Sequence, residues 1–170
     1  DPENGSEARD AFGRHLLESG QYEQLSAFCA EAAAASTTPY ERVRWRLEQA
    51  RVLEEQMLAP ERALEVLLGV YQEETEHESI NGRVEALATR LDAWTLVCDV
   101  LAASNQAHCW YRLAQWLEFP CDNPIQAFEN YEKCILAQHK VDLSLAGALR
   151  VASSHTEIDL ERLAELINLS

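Results

Sequence analysis

The residues whose chemistry reaches beyond packing are the cysteines, the histidines and a set of arginines. Cys98, His108, Cys109 and Cys121 are the one group that could supply soft ligands to a metal ion, since thiolates and imidazoles bind zinc. Their spacing argues against it. None of Cys29, Cys98, Cys109, Cys121 and Cys134 forms a CxxC pair, so reduced thiols packed as small apolar side chains are the simpler expectation. His15, His77, His108, His139 and His155 are scattered, with no HExxH, no GxSxG and no glycine loop able to cradle phosphate. No catalytic residue, metal ligand or cofactor is therefore assigned. A nucleophile built from Cys109 and a remote histidine is the least favoured function class, and the chain is not expected to be an enzyme.

The whole chain sets further bounds. It has 170 residues with a formal charge of −15, and nearly half are apolar, enough for a sizeable core. Such a charge disfavours nucleic acid, whose phosphates call for clustered Lys and Arg. No apolar run reaches about 18 residues, so membrane insertion is not expected. The opening DPENGSEARD lacks the pattern of a secretory signal. With free thiols, this favours a cytoplasmic setting.

What must position these residues is helix. Ala, Leu, Glu, Gln and Arg dominate, and their side chains lose little freedom in that conformation. The organising stretch runs from Arg44 to Val70. Its Ala50, Pro60, Ala63, Leu64 and Val70 recur at one constant offset as Ala114, Pro124, Ala127, Phe128 and Cys134. Each copy reads as helix, short proline-marked turn, helix. All five prolines fall at expected breaks: Pro2, Pro39, Pro60, Pro120 and Pro124.

Taken in order, Asp1 to Asn4 reads as a loop, with Asn4 or Ser6 capping a helix over about 7–19 that carries Ala8, Ala11, Phe12 and Leu16 on one side. Gly20 closes it at positive φ. A second helix begins at Gln21-Tyr22, with Tyr22, Leu25, Phe28, Cys29 and Ala32 as its apolar set. Helices are expected over about 40–57, with Val43, Leu47, Ala50 and Leu53 inward and Glu54 in water, and over about 61–74, with Ala63, Leu64, Leu67, Val70 and Tyr71 inward. Glu73, Glu74, Glu76 and Glu78 mark a solvated connection. The stretch 79–90 is helix or, at Asn81-Gly82, a loop. Asp92 caps a helix to Ala103 that buries Trp94, Val97, Cys98 and Leu101. Two more helices, about 106–118 and 123–138, include Trp110, Ile125, Phe128 and Tyr131 in their apolar stripes, and a last pair spans about 143–153 and 158–169. The fold class is all-α, with about ten helices as stacked antiparallel hairpins in approximate units 5–36, 39–76, 79–104, 106–139 and 141–170.

Helix pairs at this spacing resemble tetratricopeptide repeats, whose unit is about 34 residues. Gly13, Gly20, Tyr22, Leu25 and Cys29 stand in that family's packing and turn positions, as do Ala50, Ala63, Leu67 and Val70, and Ala114, Ala127, Tyr131 and Cys134. Trp94 and Val97 match the third unit, while Ala148 and Ala164 match the fifth loosely. The resemblance implies a superhelical array, and the DPEN opening implies that further repeats precede residue 1. It also implies a protein-binding scaffold whose first helices line a concave groove. Carried over by position, the groove residues are Arg14, Arg44, Arg51, Arg83, Arg90, His108, Tyr111 and Gln115, together with the acidic Asp10, Glu54 and Glu118, and Trp116 is a further candidate. The family's chaperone-tail clamp of lysines and asparagines is missing, so that role is not expected.

Two readings of the arginines stay open. In one, a locally basic groove takes a partner segment bearing carboxylates. In the plainer one, they pair with Glu41, Glu48, Glu55 and Glu85 on their own helices. Self-association through an outer face or an unpaired terminal hairpin is the alternative function.

Overall fold

The computed structural model describes residues 2–73, 78–104, 106–155, 158 and 160–169, of which residues 2–6, 72, 73, 78, 79, 160 and 169 are described by their backbone alone. All regular structure among them is helical. Ten helices follow one another: α1 (Pro2–Glu18), α2 (Tyr22–Ala35), α3 (Pro39–Glu55), α4 (Pro60–Glu73), α5 (Glu78–Leu91), α6 (Trp94–Ala103), α7 (Ala107–Glu118), α8 (Pro124–Leu136), α9 (Val141–Ser154) and α10 (Leu160–Leu169). They form two compact units, residues 1–91 and 92–170. The boundary falls inside the expected unit 79–104.

The helix starts follow from local chemistry. Thr38 caps α3 by accepting the Glu41 N–H at 3.3 Å, with Pro39 at the first helical position where no N–H is needed. Asn123 does the same for α8, accepting the Gln126 N–H at 3.2 Å ahead of Pro124. The helix ends are equally regular. One residue with positive φ sits in each described turn from an odd helix to the next even one: Gly20, Leu58, Asp92 and Asp122.

The turns α3–α4 and α7–α8 share two bonds at the constant offset seen in the sequence. Met57 N–H donates to Val52 C=O and Ala59 N–H to Leu53 C=O, at 3.1 and 2.8 Å. Cys121 N–H donates to Trp116 C=O and Asn123 N–H to Leu117 C=O, at 3.0 and 2.7 Å. Such bonds satisfy carbonyls that a helix end would otherwise orphan. The same offset relates the fully buried pairs Ala50 with Ala63 and Ala114 with Ala127, whose small side chains leave room for the facing helix.

In the first unit Leu16, Leu25, Cys29, Ala32, Ala33, Trp45 and Val52 make a continuous core, with Phe12, Phe28 and Trp45 meeting edge to face at 5.1 and 5.6 Å. In the second, Tyr131 lies flat against Gly147. A Cβ there would come within 2.4 Å of the phenol ring, so only glycine lets α9 approach α8.

Several expectations need correction. Pro2 to Asn4 is not a loop; α1 starts at Pro2, so Asn4 and Ser6 lie inside the helix rather than at its start. Proline suits the first turn, where its missing N–H has no partner to lose. Ala8, Ala11 and Phe12 are exposed, and of that stripe only Leu16 is buried. Of the two readings of 79–90 the helix is the one observed: Asn81-Gly82 lies within α5, and Asn81 is buried. Asp92 takes the left-handed conformation, and Ala93 occupies the start of α6 without a side-chain cap. Ile125 is exposed. Of the acidic connection, Glu74 and Glu76 lie outside the described residues.

Candidate functional site

On α3, Arg44, Glu48 and Arg51 are spaced four and three residues apart, which stacks them on one face. That face borders two cavities. One, of about 410 Å³, is walled by Asp10 and Arg14 of α1 and by Arg44, Glu48 and Arg51, over a floor formed by Gly13, Leu17, Leu25 and Trp45. The other, of about 360 Å³, is lined by Tyr40, Val43, Arg44, Leu47, Glu48 and Arg51 of α3 and by Arg83 of α5. Arg44, Glu48 and Arg51 line both, so the two adjoin along α3 as a trough of charged side chains over mostly apolar surface, bordered by α1, α3 and α5.

The arginines there are mostly paired, and mostly across helices. Arg44 reaches Asp10 at 2.7 Å and lies over the Trp45 ring, 5.2 Å from its centroid. Arg83 reaches Glu54 at 2.9 Å and the Leu47 carbonyl at 3.4 Å, and Arg90 reaches the other oxygen of Glu54 at 3.0 Å. Arg51 alone follows the same-helix pattern, bonding Glu48 with two nitrogens at 2.6 and 3.1 Å and lying 3.7 Å from Glu55. The Glu48 bond, more than any other influence, holds its guanidinium still more firmly protonated than usual. Arg14 has no acidic partner among the described residues; its Nε donates to the Asp10 carbonyl at 3.4 Å. The lining therefore carries Arg14, Arg44, Arg51 and Arg83 against Asp10 and Glu48, a local excess of positive charge on a chain of −15.

Of the eight residues singled out in the sequence, Arg14, Arg44, Arg51 and Arg83 come together here, and Arg90 is tethered to them through Glu54. His108, Tyr111 and Gln115 belong to the second unit, on α7. Tyr111 is not a surface residue: it is 8% exposed, accepts a bond from Gln115 Nε2 at 3.2 Å, meets Tyr131 edge-on, and has Lys140 Nζ 4.5 Å above its ring. Trp116 is buried too and meets Trp94 edge-on at 5.8 Å. Both aromatics go inward because the core gains more from their area than a wall would.

Glu54, read from the sequence as facing water, is instead the anchor of two arginines, with a side chain only 23% exposed. Glu118 has the matching part in the second unit. It accepts Arg150 at 2.5 and 2.8 Å and the Tyr131 hydroxyl at 2.8 Å; burial first, and then this bond, raises the Tyr131 phenol well above its ordinary range. Cross-ties recur on the even helices, from Arg62 to Glu23 and from Arg162 to Glu132. The signal that could have found them is an arginine following an acid by about one repeat length.

Among the described residues no group of three or more His, Cys, Asp or Glu side chains is placed to hold a metal ion. Cys109 is fully buried and accepts the Ser104 hydroxyl at 3.3 Å. No helix among them is long and apolar enough to cross a membrane. No family model matches the chain, and no curated protein or solved structure is detectably similar to it.

Proposed function

We propose that the chain is a protein-interaction scaffold whose trough across α1, α3 and α5 takes an extended or helical segment bearing carboxylates. The observation that carries this is the pair of adjoining cavities sharing Arg44, Glu48 and Arg51, with the apolar floor of one beneath them. Arginine's planar fork suits bidentate capture of a carboxylate. Its present partners are cheap to exchange, because ion pairs this exposed are worth about 0 to 1 kcal/mol. An incoming acidic segment replaces Asp10 or Glu48 and adds the burial of its own apolar side chain over Trp45 and Leu17.

A tetratricopeptide-like stacking of hairpins is part of the same reading. It is supported by the cross-ties, which join odd helices to odd and even to even at separations of 30 to 39 residues for Arg44, Arg62, Arg150 and Arg162. The matching turns of α3–α4 and α7–α8 support it as well. Free cysteines favour work in a reducing compartment such as the cytoplasm.

The test is an array of fluorescent acidic peptides titrated with the full chain and with the Arg44→Glu, Arg51→Glu double variant. Charge reversal is expected to weaken the best binder at least about tenfold, a loss of about 1.4 kcal/mol or more. Unchanged affinity, with helix content intact, would sink the reading. Self-association is the second reading, favoured by the exposed apolar Leu136, Leu143, Leu149 and Ile167 on α8 to α10. Sedimentation at several concentrations decides it: a monomer throughout rules it out.

A further inference from the structure

Cys98 and Cys121 are separated by 23 positions in the sequence, yet their sulfurs lie 3.5 Å apart. Cys98 is on the second turn of α6. Cys121 is in the turn between α7 and α8, beside Asp122 at φ 49°. Both are half-buried, in contrast to Cys29, Cys109 and Cys134, which are sealed at 0% exposure. A disulfide needs its sulfurs at about 2.05 Å, so a further approach of about 1.5 Å suffices. A residue in a non-helical turn can make that move more readily than one inside a helix.

We propose that Cys98 and Cys121 are a reversible redox pair that a peroxide closes into an intrachain disulfide, fastening α6 to the α7–α8 turn. The Cys121 sulfur attacks one peroxide oxygen, the O–O bond breaks, and the other oxygen leaves as water with the thiol proton, giving a sulfenic acid. The Cys98 sulfur then attacks the Cys121 sulfur. The S–O bond breaks and the hydroxyl leaves with the Cys98 proton as a second water. The two sulfurs surrender two electrons and the peroxide takes both. Cys121 is placed first because it sits in a non-helical turn and can shift between the peroxide and its partner, while burial first, then the bond to Cys121, raises the Cys98 thiol within α6. A small-molecule thiol reverses the closure by exchange.

The site carries its own reporter. Trp94 lies one turn before Cys98, Trp116 accepts the Cys121 N–H through its carbonyl at 3.0 Å, and the two indoles touch edge to face. A disulfide formed between those sulfurs quenches indole emission.

The experiment treats the full chain with hydrogen peroxide, alkylates remaining thiols after denaturation, and maps the digest by mass spectrometry. The expected product is one Cys98–Cys121 cross-linked peptide as the major species, with Cys29, Cys109 and Cys134 alkylated. Indole emission falls and returns with dithiothreitol, a return that oxidation of Met57 does not give under the same treatment. Cys98→Ser and Cys121→Ser each remove the reversible change. Mapping of the unaltered chain decides the matter even where a serine variant folds poorly. Full alkylation of Cys98 and Cys121, their conversion to sulfinic acids, or cross-linking to a different cysteine would overturn the proposal.

Discussion

Burial keeps two thiols far from ionisation. Cys29, at 0% exposure, is pushed up to about 12 chiefly by desolvation, with the charge of Glu48 adding and that of Arg51 opposing, and Cys98 reaches about 12 as well. An unfolded thiol titrates near 9.0, so between about pH 9 and 12 the unfolded chain holds fewer protons than the folded one. The stability these thiols lend is complete below pH 9 and drains away as pH rises toward 12. Thermal unfolding followed across that window should show a falling midpoint, and Cys29→Ala should flatten the fall. A midpoint indifferent to pH from 9 to 11 would contradict the buried, protonated thiol. At this scale the sequence supplied the arginines of the trough and placed Asp10, Glu54 and Glu118 on the same helix faces, but not which acid pairs with which arginine. Asp10, Glu54 and Glu118 each look like one more surface carboxylate until a guanidinium from another helix lies against them.

The turns and helix crossings carry the clearest tests at the scale of elements. Leu58 is 81% exposed and held at φ 52°, a conformation that costs a branched residue about 1 to 2 kcal/mol and glycine far less. Leu58→Gly therefore loses no packing and should stabilise the protein by about 0.5 to 1 kcal/mol in urea unfolding, the strain relieved exceeding glycine's entropy cost. The opposite holds where α8 meets α9. Gly147→Ala drives a methyl into the Tyr131 ring, which is buried and bonded to Glu118, and should cost about 1 to 3 kcal/mol. A neutral Gly147→Ala would mean that α9 can slide away from α8 without penalty. Elements such as α3 and α8 were legible in advance because Thr38-Pro39 and Asn123-Pro124 announce their starts within a few residues. Asp92 was misread for an equally local reason: aspartate serves both as a cap and as a residue that tolerates the left-handed region, and nothing nearby in the sequence separates the two roles.

At the scale of the whole molecule, each of the two units has its own buried residues, so damage in one should stay there. Hydrogen exchange on Gly147→Ala is expected to show faster exchange within 92–170 and unchanged protection in α2 to α4. Equal loss across the chain would mean that the units unfold as one. The sequence by itself determined that this protein is helical, where its breaks fall, and that the stretch around Ala50 and Pro60 returns around Ala114 and Pro124. These depend on apolar spacing, proline and capping residues, which act over a few positions. Only the tertiary structure decided that Tyr111 and Trp116 turn inward, that Glu54 joins Arg83 to Arg90, and that Cys98 meets Cys121. Each of those outcomes depends on how one helix is rotated and shifted against another some 20 to 40 residues away, and that register is set by close packing of the whole core rather than by any short stretch of chain.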